Sequence, residues 1–245
     1  MIISKQKSGV SKRRFFIWIK CGDMHILFSR MEWGNEGMKY AGIIFDLDGV
    51  LCSTDEYHYR AWKMLTDRLG IPFDRKVNER LRGVSRMESL EIILEKSVQK
   101  YSNEEKQRLA EEKNENYRKL LSSMSAADLS AEVVDTLGKI RVQKIKLAVG
   151  SSSRNAPLIL QKLELNSFFD AVIDGNDIVH SKPSPEVFLK AADRLKLPPS
   201  QCLVVEDAEA GVQAAAAGGF DCAALGRVQQ PVRWRLKTFS DLLKL

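Results

Sequence analysis

No stretch of this 245-residue chain is apolar for long enough to cross a membrane or act as a secretory leader. The longest candidate, Phe15-Phe16-Ile17-Trp18-Ile19 behind Lys12-Arg13-Arg14, is cut off by Lys20 after five residues. A leader core needs roughly 7–15 apolar residues and a membrane helix about 20. Cysteine is also scarce. Cys21, Cys52, Cys202 and Cys222 show neither CxxC nor Cys/His ligand spacing, so a zinc module and a disulfide framework are both excluded. Reduced thiols in a cytoplasmic protein are expected, with Cys202 and Cys222 as small apolar fillers of strands. The body of the chain has little surplus charge either. Residues 1–38 hold seven Lys/Arg against three acids, +4 of the total +6, which leaves only +2 on the other 207 residues. Basic character confined to a tail does not make the body a nucleic-acid or membrane binder. Residues 1–38 are read as a loosely ordered basic extension, with Met38 a candidate functional start.

Beyond residue 39, short apolar segments rich in β-branched residues recur at 40–46, 144–150, 170–174, 201–206 and 220–225. Helical stretches at 155–165, 184–196 and 208–218 alternate with them. That alternation predicts βαβ units, hence a doubly wound parallel sheet with helices on both faces. Residues 53–122 break the rhythm. They contain no convincing strand, and Trp62, Leu65, Leu69, Leu90, Ile93 and Leu94 recur at helical spacing. The expected organisation is an α/β core over 39–52 and 123–245 with an all-helical cap, 53–122, inserted after the first strand. An insertion at that strand's carboxyl end sits above the crevice where open α/β sheets bind ligands.

That first strand ends in an unusual way, as Ile43-Ile44-Phe45-Asp46-Leu47-Asp48-Gly49-Val50. Residues i and i+2 of a strand point the same way, so Asp46 and Asp48 can face one crevice. Glu206-Asp207 end another strand. Four carboxylates converging there require a cation, and hard oxygen ligands point to Mg²⁺. Ser151-Ser152-Ser153, between a strand and a helix, offers hydroxyl and N–H groups to an anion at the same edge. Lys182, stiffened by Pro183, can serve as a point charge on phosphate and relieve repulsion among the acids.

Asp46-x-Asp48, Ser151, Lys182 and Glu206-Asp207, in this order at these strand ends, resemble the haloacid-dehalogenase superfamily over roughly residues 40–226. The resemblance implies that Asp46 is a nucleophile forming an aspartyl-phosphate and that Asp48 is its general acid/base. It implies Mg²⁺ held by Asp46, the Asp48 carbonyl and Asp207, with Glu206 close by. Ser151, Ser152 and Lys182 would bind the transferring phosphoryl group. Superfamily dehalogenases lack the second acid, so Asp48 argues against carbon–halogen cleavage.

Within the cap, Leu81-Arg82-Gly83-Val84-Ser85-Arg86, Lys113-Asn114-Glu115-Asn116-Tyr117 and Glu56-Tyr57-His58-Tyr59-Arg60-Ala61-Trp62 resemble the β-phosphoglucomutase branch, as does Ser151-Ser152-Ser153-Arg154-Asn155 in the core. That likeness implies a distal-phosphate and substrate site of Arg86, Gly83, Val84, Ser85, Ser153, Arg154 and Asn155. His58, Trp62 and Lys113 would link cap closure to Asp48. The implied reaction interconverts β-D-glucose 1-phosphate and glucose 6-phosphate through the 1,6-bisphosphate. The same core residues also serve sugar-phosphate phosphatases, which is the alternative. Sugar phosphates are the expected partners of a monomer, without nucleic acid or membrane. Two departures stand out: Arg154 where the branch often has Lys, and Cys52-Ser53 at the entry to the cap.

Overall fold

The computed structural model describes residues 16–21, 24–29, 38–81 and 84–245. Strands β1 (Phe16–Cys21) and β2 (Met24–Ser29) pair antiparallel as a separate two-stranded sheet. The extension read from sequence as loosely ordered therefore carries a β-ribbon. The rest of that expectation lies outside the described residues.

The main sheet contains β3 (Gly42–Phe45), β4 (Lys146–Gly150), β5 (Ala171–Ile173), β6 (Cys202–Glu206), β7 (Asp221–Leu225) and β8 (Trp234–Leu236). All pairings are parallel, in the order β5-β4-β3-β6-β7-β8. Five of these strands fall where the apolar segments lie. The edge strand β8 has no such signal, since Trp234-Arg235-Leu236 is short and interrupted by charge. Both faces of the central strands are covered. Ile43 and Phe45 join one apolar layer with Leu137, Ile140 and Leu147, while Ile44 joins the other with Phe188, Ala191 and Val204. Burial on both faces explains why these strands read as continuous apolar runs.

From β3 the chain builds outward through β4 and β5 on one side, then returns to place β6, β7 and β8 on the other. The order reverses around β3, and the crevice at such a switch point opens at the strands' carboxyl ends. Asp46 follows β3, Ser151 follows β4 and Asp207 follows β6, all at that edge.

Between β3 and β4 stand α1 (Asp55–Leu69), α2 (Arg75–Glu79), α3 (Arg86–Leu94) and α4 (Asn103–Leu121), then α5 (Ala131–Val142). Among the described residues 53–122 contain no strand. Helix α1 stops at Gly70, whose φ of 66° is the left-handed C-cap that glycine adopts without strain. Helices α3 and α4 begin with capping boxes, Ser85 with Glu88 and Ser102 with Glu105. Trp62, Leu65, Phe73, Leu90, Ile93 and Leu109 form an apolar cluster distinct from the two that flank the sheet. The remaining helices are α6 (Ala156–Lys162), α7 (Glu186–Leu195) and α8 (Glu209–Ala217).

Candidate active site

A cavity of about 850 Å³ lies between the sheet edge and the helices α1, α3 and α4. Every site residue expected from the sequence lines it, apart from Gly83, which lies outside the described residues.

At the floor, Lys182 places its Nζ 2.5 Å from Asp46 Oδ1 and 2.5 Å from Glu206 Oε1. The lysine is 4% exposed and its ammonium lies 4.6 Å from the centre of the Phe188 ring. Burial works against its charge, but the two carboxylates more than offset that and hold its pKa above the ordinary value. Glu206 is fixed on its other oxygen, which accepts from the main-chain N–H groups of Asp207 and Ala208 at 2.8 and 2.9 Å, at the start of α8. Anions are favoured at that end of a helix. Two glycines make room for the acids. A Cβ at Gly211 would overlap the Glu206 carboxylate, and one at Gly49, whose φ is +86°, would overlap that of Asp207.

Carboxylate oxygens of Asp46, Glu206 and Asp207 lie within 4.8 Å of one another. Burial, opposed by Lys182 but aided by the neighbouring Glu206, Asp207 and Asp48, pushes Asp46 well above the usual carboxylate range. Three hard, anionic donors with one buried cation between two of them fit a divalent cation, which would relieve that pressure on Asp46. The Asp48 carboxylate is not one of the three. It accepts a hydrogen bond from Thr54 Oγ1, and burial raises its pKa to about 6 even though that bond lowers it. The two aspartates of β3's end thus diverge in environment, one toward the lysine and the acids, the other toward the cap.

Ser151 and Ser153 line the same edge, and each hydroxyl accepts from the backbone two residues on, Ser153 N at 3.1 Å and Asn155 N at 3.2 Å. Ser152 Oγ accepts from Lys182 N at 3.4 Å, which ties the lysine's loop to this turn.

The cap side differs. His58 on α1 has Lys113 Nζ 2.8 Å from its Nδ1 and stacks on Tyr117 with ring centres 4.1 Å apart. Burial, and then the neighbouring Lys113 and Arg86, hold the pKa of His58 well below its ordinary value. Burial and Arg86 bring Lys113 down to about 7, partly countered by Asp48. Lys113 also lies 4.9 Å from the Trp62 ring centre. Trp62 is 2% exposed, so its indole belongs to the cap core as much as to the cavity wall. Ser85 spends its hydroxyl on the α3 capping box. Arg86 opens α3 and donates from Nη2 to Asn114 Oδ1 at 2.8 Å, and core Asn155 donates to the same oxygen at 2.9 Å. Burial lowers the pKa of Arg86, Glu111 opposes that, and the nearby Arg154 adds a little to the fall.

Thr54 and Asn114 were not singled out from sequence. Thr54 follows the variable Cys52-Ser53 pair and looks like an ordinary helix cap, yet it is 1% exposed and bound to Asp48. Asn114 sits inside a stretch whose likeness was legible, but only the fold places Arg86 and Asn155 on one carbonyl oxygen. The described cysteines Cys52, Cys202 and Cys222 are free and buried, as expected.

A family profile, haloacid dehalogenase-like hydrolase, matches residues 40–219. The chain is 43% identical over 189 residues to a β-phosphoglucomutase of Bacillus subtilis, covering 76% of this chain and 84% of that one. It is 34% identical over 184 residues to a fructose-1-phosphate phosphatase of Escherichia coli, covering 75% and 95%. Among solved structures, a β-phosphoglucomutase from Clostridium difficile superposes with a TM-score of 0.72 at 39% identity, covering 77% and 85%.

Proposed function

We propose, for a chain that belongs to the haloacid dehalogenase-like hydrolases and to their β-phosphoglucomutase group, that it interconverts β-D-glucose 1-phosphate and D-glucose 6-phosphate through β-D-glucose 1,6-bisphosphate and an aspartyl-phosphate enzyme. The observation that carries this reading is a cavity with a cation at each end, Lys182 at the sheet and Arg86 in the cap. A bisphosphate that must bind either way round needs two anion sites, and a hydrolase needs only one.

An Asp46 oxygen attacks phosphorus as the bond from phosphorus to the sugar oxygen breaks, and the proton of Asp48 passes to that oxygen. In the return transfer a sugar hydroxyl attacks, the bond from phosphorus to Asp46 breaks, and the hydroxyl proton returns to Asp48. A group with a pKa of about 6 suits both directions near neutral pH. Lys182, Ser151 and Ser152 would bind the transferring phosphoryl group. Arg86, Val84, Ser85, Ser153, Arg154 and Asn155, together with Gly83, would bind the distal phosphate and sugar. His58, Trp62 and Lys113 would couple the cap, 53–122, to Asp48. Mg²⁺ would be held by Asp46, Asp207 and the Asp48 carbonyl beside Glu206. When bound it would stabilise charge on the transferring group.

The expected setting is the cytoplasm, with the chain acting as a monomer on free sugar phosphates. None of the described helices is long and apolar enough to cross a membrane. The test is an anomer-resolved assay with a hexose 1,6-bisphosphate primer. Conversion of β-glucose 1-phosphate to glucose 6-phosphate is expected, whereas release of inorganic phosphate without isomer would favour the phosphatase reading instead.

A further inference from the structure

The cap end of the cavity carries an acid for which phosphoryl transfer has no use. Arg86 Nη1 lies 3.4 Å from Glu111 Oε2, and both side chains line the cavity. Glu111 is itself oriented, because Asn114 Nδ2, one turn further along α4, donates to its Oε1 at 3.2 Å. The carboxylate thus occupies one nitrogen of the guanidinium while Asn114 Oδ1 takes the other. A phosphate that grips Arg86 end-on, through Nη1 and Nη2 together, competes with Glu111 for Nη1.

We propose that Glu111 is an exchange ligand for Arg86: it competes with the distal phosphate of a sugar bisphosphate and so keeps that grip loose enough for the intermediate to turn around. This rests on the bisphosphate reading above. A mutase that held both phosphates tightly would trap its own intermediate, since reorientation requires both ends to let go. Arg86 and Arg154 of the core, which both line the cavity, together offer such a trap. The Glu111 side chain is 61% exposed and so keeps most of its hydration when phosphate displaces it. Such a pair is weak enough to modulate the site without closing it.

The experiment compares Glu111→Gln with Glu112→Gln, a control that removes the neighbouring charge, which pairs with Arg68. Glu111→Gln is expected to bind glucose 1,6-bisphosphate and inorganic phosphate about two- to fivefold more tightly by calorimetry, the range set by an exposed ion pair. Turnover under saturating bisphosphate should fall by a similar factor, while single-turnover phosphorylation of Asp46 keeps its rate. In an Arg86→Ala background the gain in affinity should vanish. Unchanged or weaker anion binding in Glu111→Gln would overturn the proposal, as would equal tightening in Glu112→Gln or a gain that persists without Arg86. Phosphate affinity reports on Glu111 even in an enzyme that forms no isomer. Failure of the mutase reading would therefore show in the isomer assay alone.

Discussion

At the sheet end of the cavity, Lys182 is 4% exposed and meets two carboxylates at 2.5 Å. At the cap end, the Arg86 side chain is 25% exposed and reaches its carboxylate at 3.4 Å. The first arrangement is a closed cluster in which every charge needs its neighbour, because an unpaired buried ion is costly. The second includes an ion pair in contact with water, Arg86 with Glu111, that a ligand can replace. Chemistry and exchange thus occupy different electrostatic surroundings: fixed charge where a bond is made, and substitutable charge where a phosphate must come and go.

The sharpest way to break this contrast is at the nucleophile. Asp46→Asn should abolish covalent phosphorylation, with turnover falling by on the order of four decades or more, read by mass spectrometry of the acid-quenched enzyme. Retained phosphoenzyme would remove Asp46 from its role. Next comes the counterion. Lys182→Met leaves Asp46 and Glu206 facing each other without a cation, and removing one member of a buried pair costs about 3–5 kcal/mol. Denaturant unfolding should show that loss, partly recovered by added Mg²⁺. A stability equal to wild type would mean that the floor is not held by charge.

Arg86→Ala should cost less and act elsewhere. Loss of charged hydrogen bonds to phosphate is worth about 10- to 100-fold in isomerisation, while phosphorylation from a bisphosphate primer should suffer less. Equal losses in both half-reactions would erase the distinction between the two ends. A fourth test, on stability rather than turnover, is in pH. Lys113 falls from its ordinary 10.5 to about 7 on burial, so between those values the unfolded chain binds a proton that the folded chain does not. Stability of the wild type should therefore rise with pH across that window relative to Lys113→Met. Parallel stability curves for the two proteins would contradict a buried, neutralised lysine.

The sheet end was far more legible in the sequence than the cap end. Asp46, Asp48, Glu206 and Asp207 stand where apolar strands stop, and the carboxyl ends of parallel strands share one edge of the sheet. Lys182 lies in a loop; its role in relieving repulsion among the acids was legible, but not which two acids it reaches. Only the adjacency of β3 and β6 makes that contact. In the cap, Arg86 was found by likeness, but Glu111, Asn114 and Thr54 were not. Each occupies an ordinary helical or capping position, and its partner comes from a different helix or from the core. Strand β8 was missed because three residues with a charge in the middle carry no period. The ribbon of β1 and β2 was missed because flanking basic residues masked two short apolar segments.

The Lys182 cluster joins residues far apart along the chain: 136 positions separate it from Asp46 and 24 from Glu206. No local segment can pre-assemble it. A chain interrupted before residue 182 would carry the nucleophile without its counterion, and one interrupted before 206 would lack the acid that anchors the lysine's other side. Capacity to take up phosphate on Asp46 should therefore appear only once β3, β6 and the Lys182 loop have come together. That makes labelling of this one side chain a chemical reporter of long-range assembly.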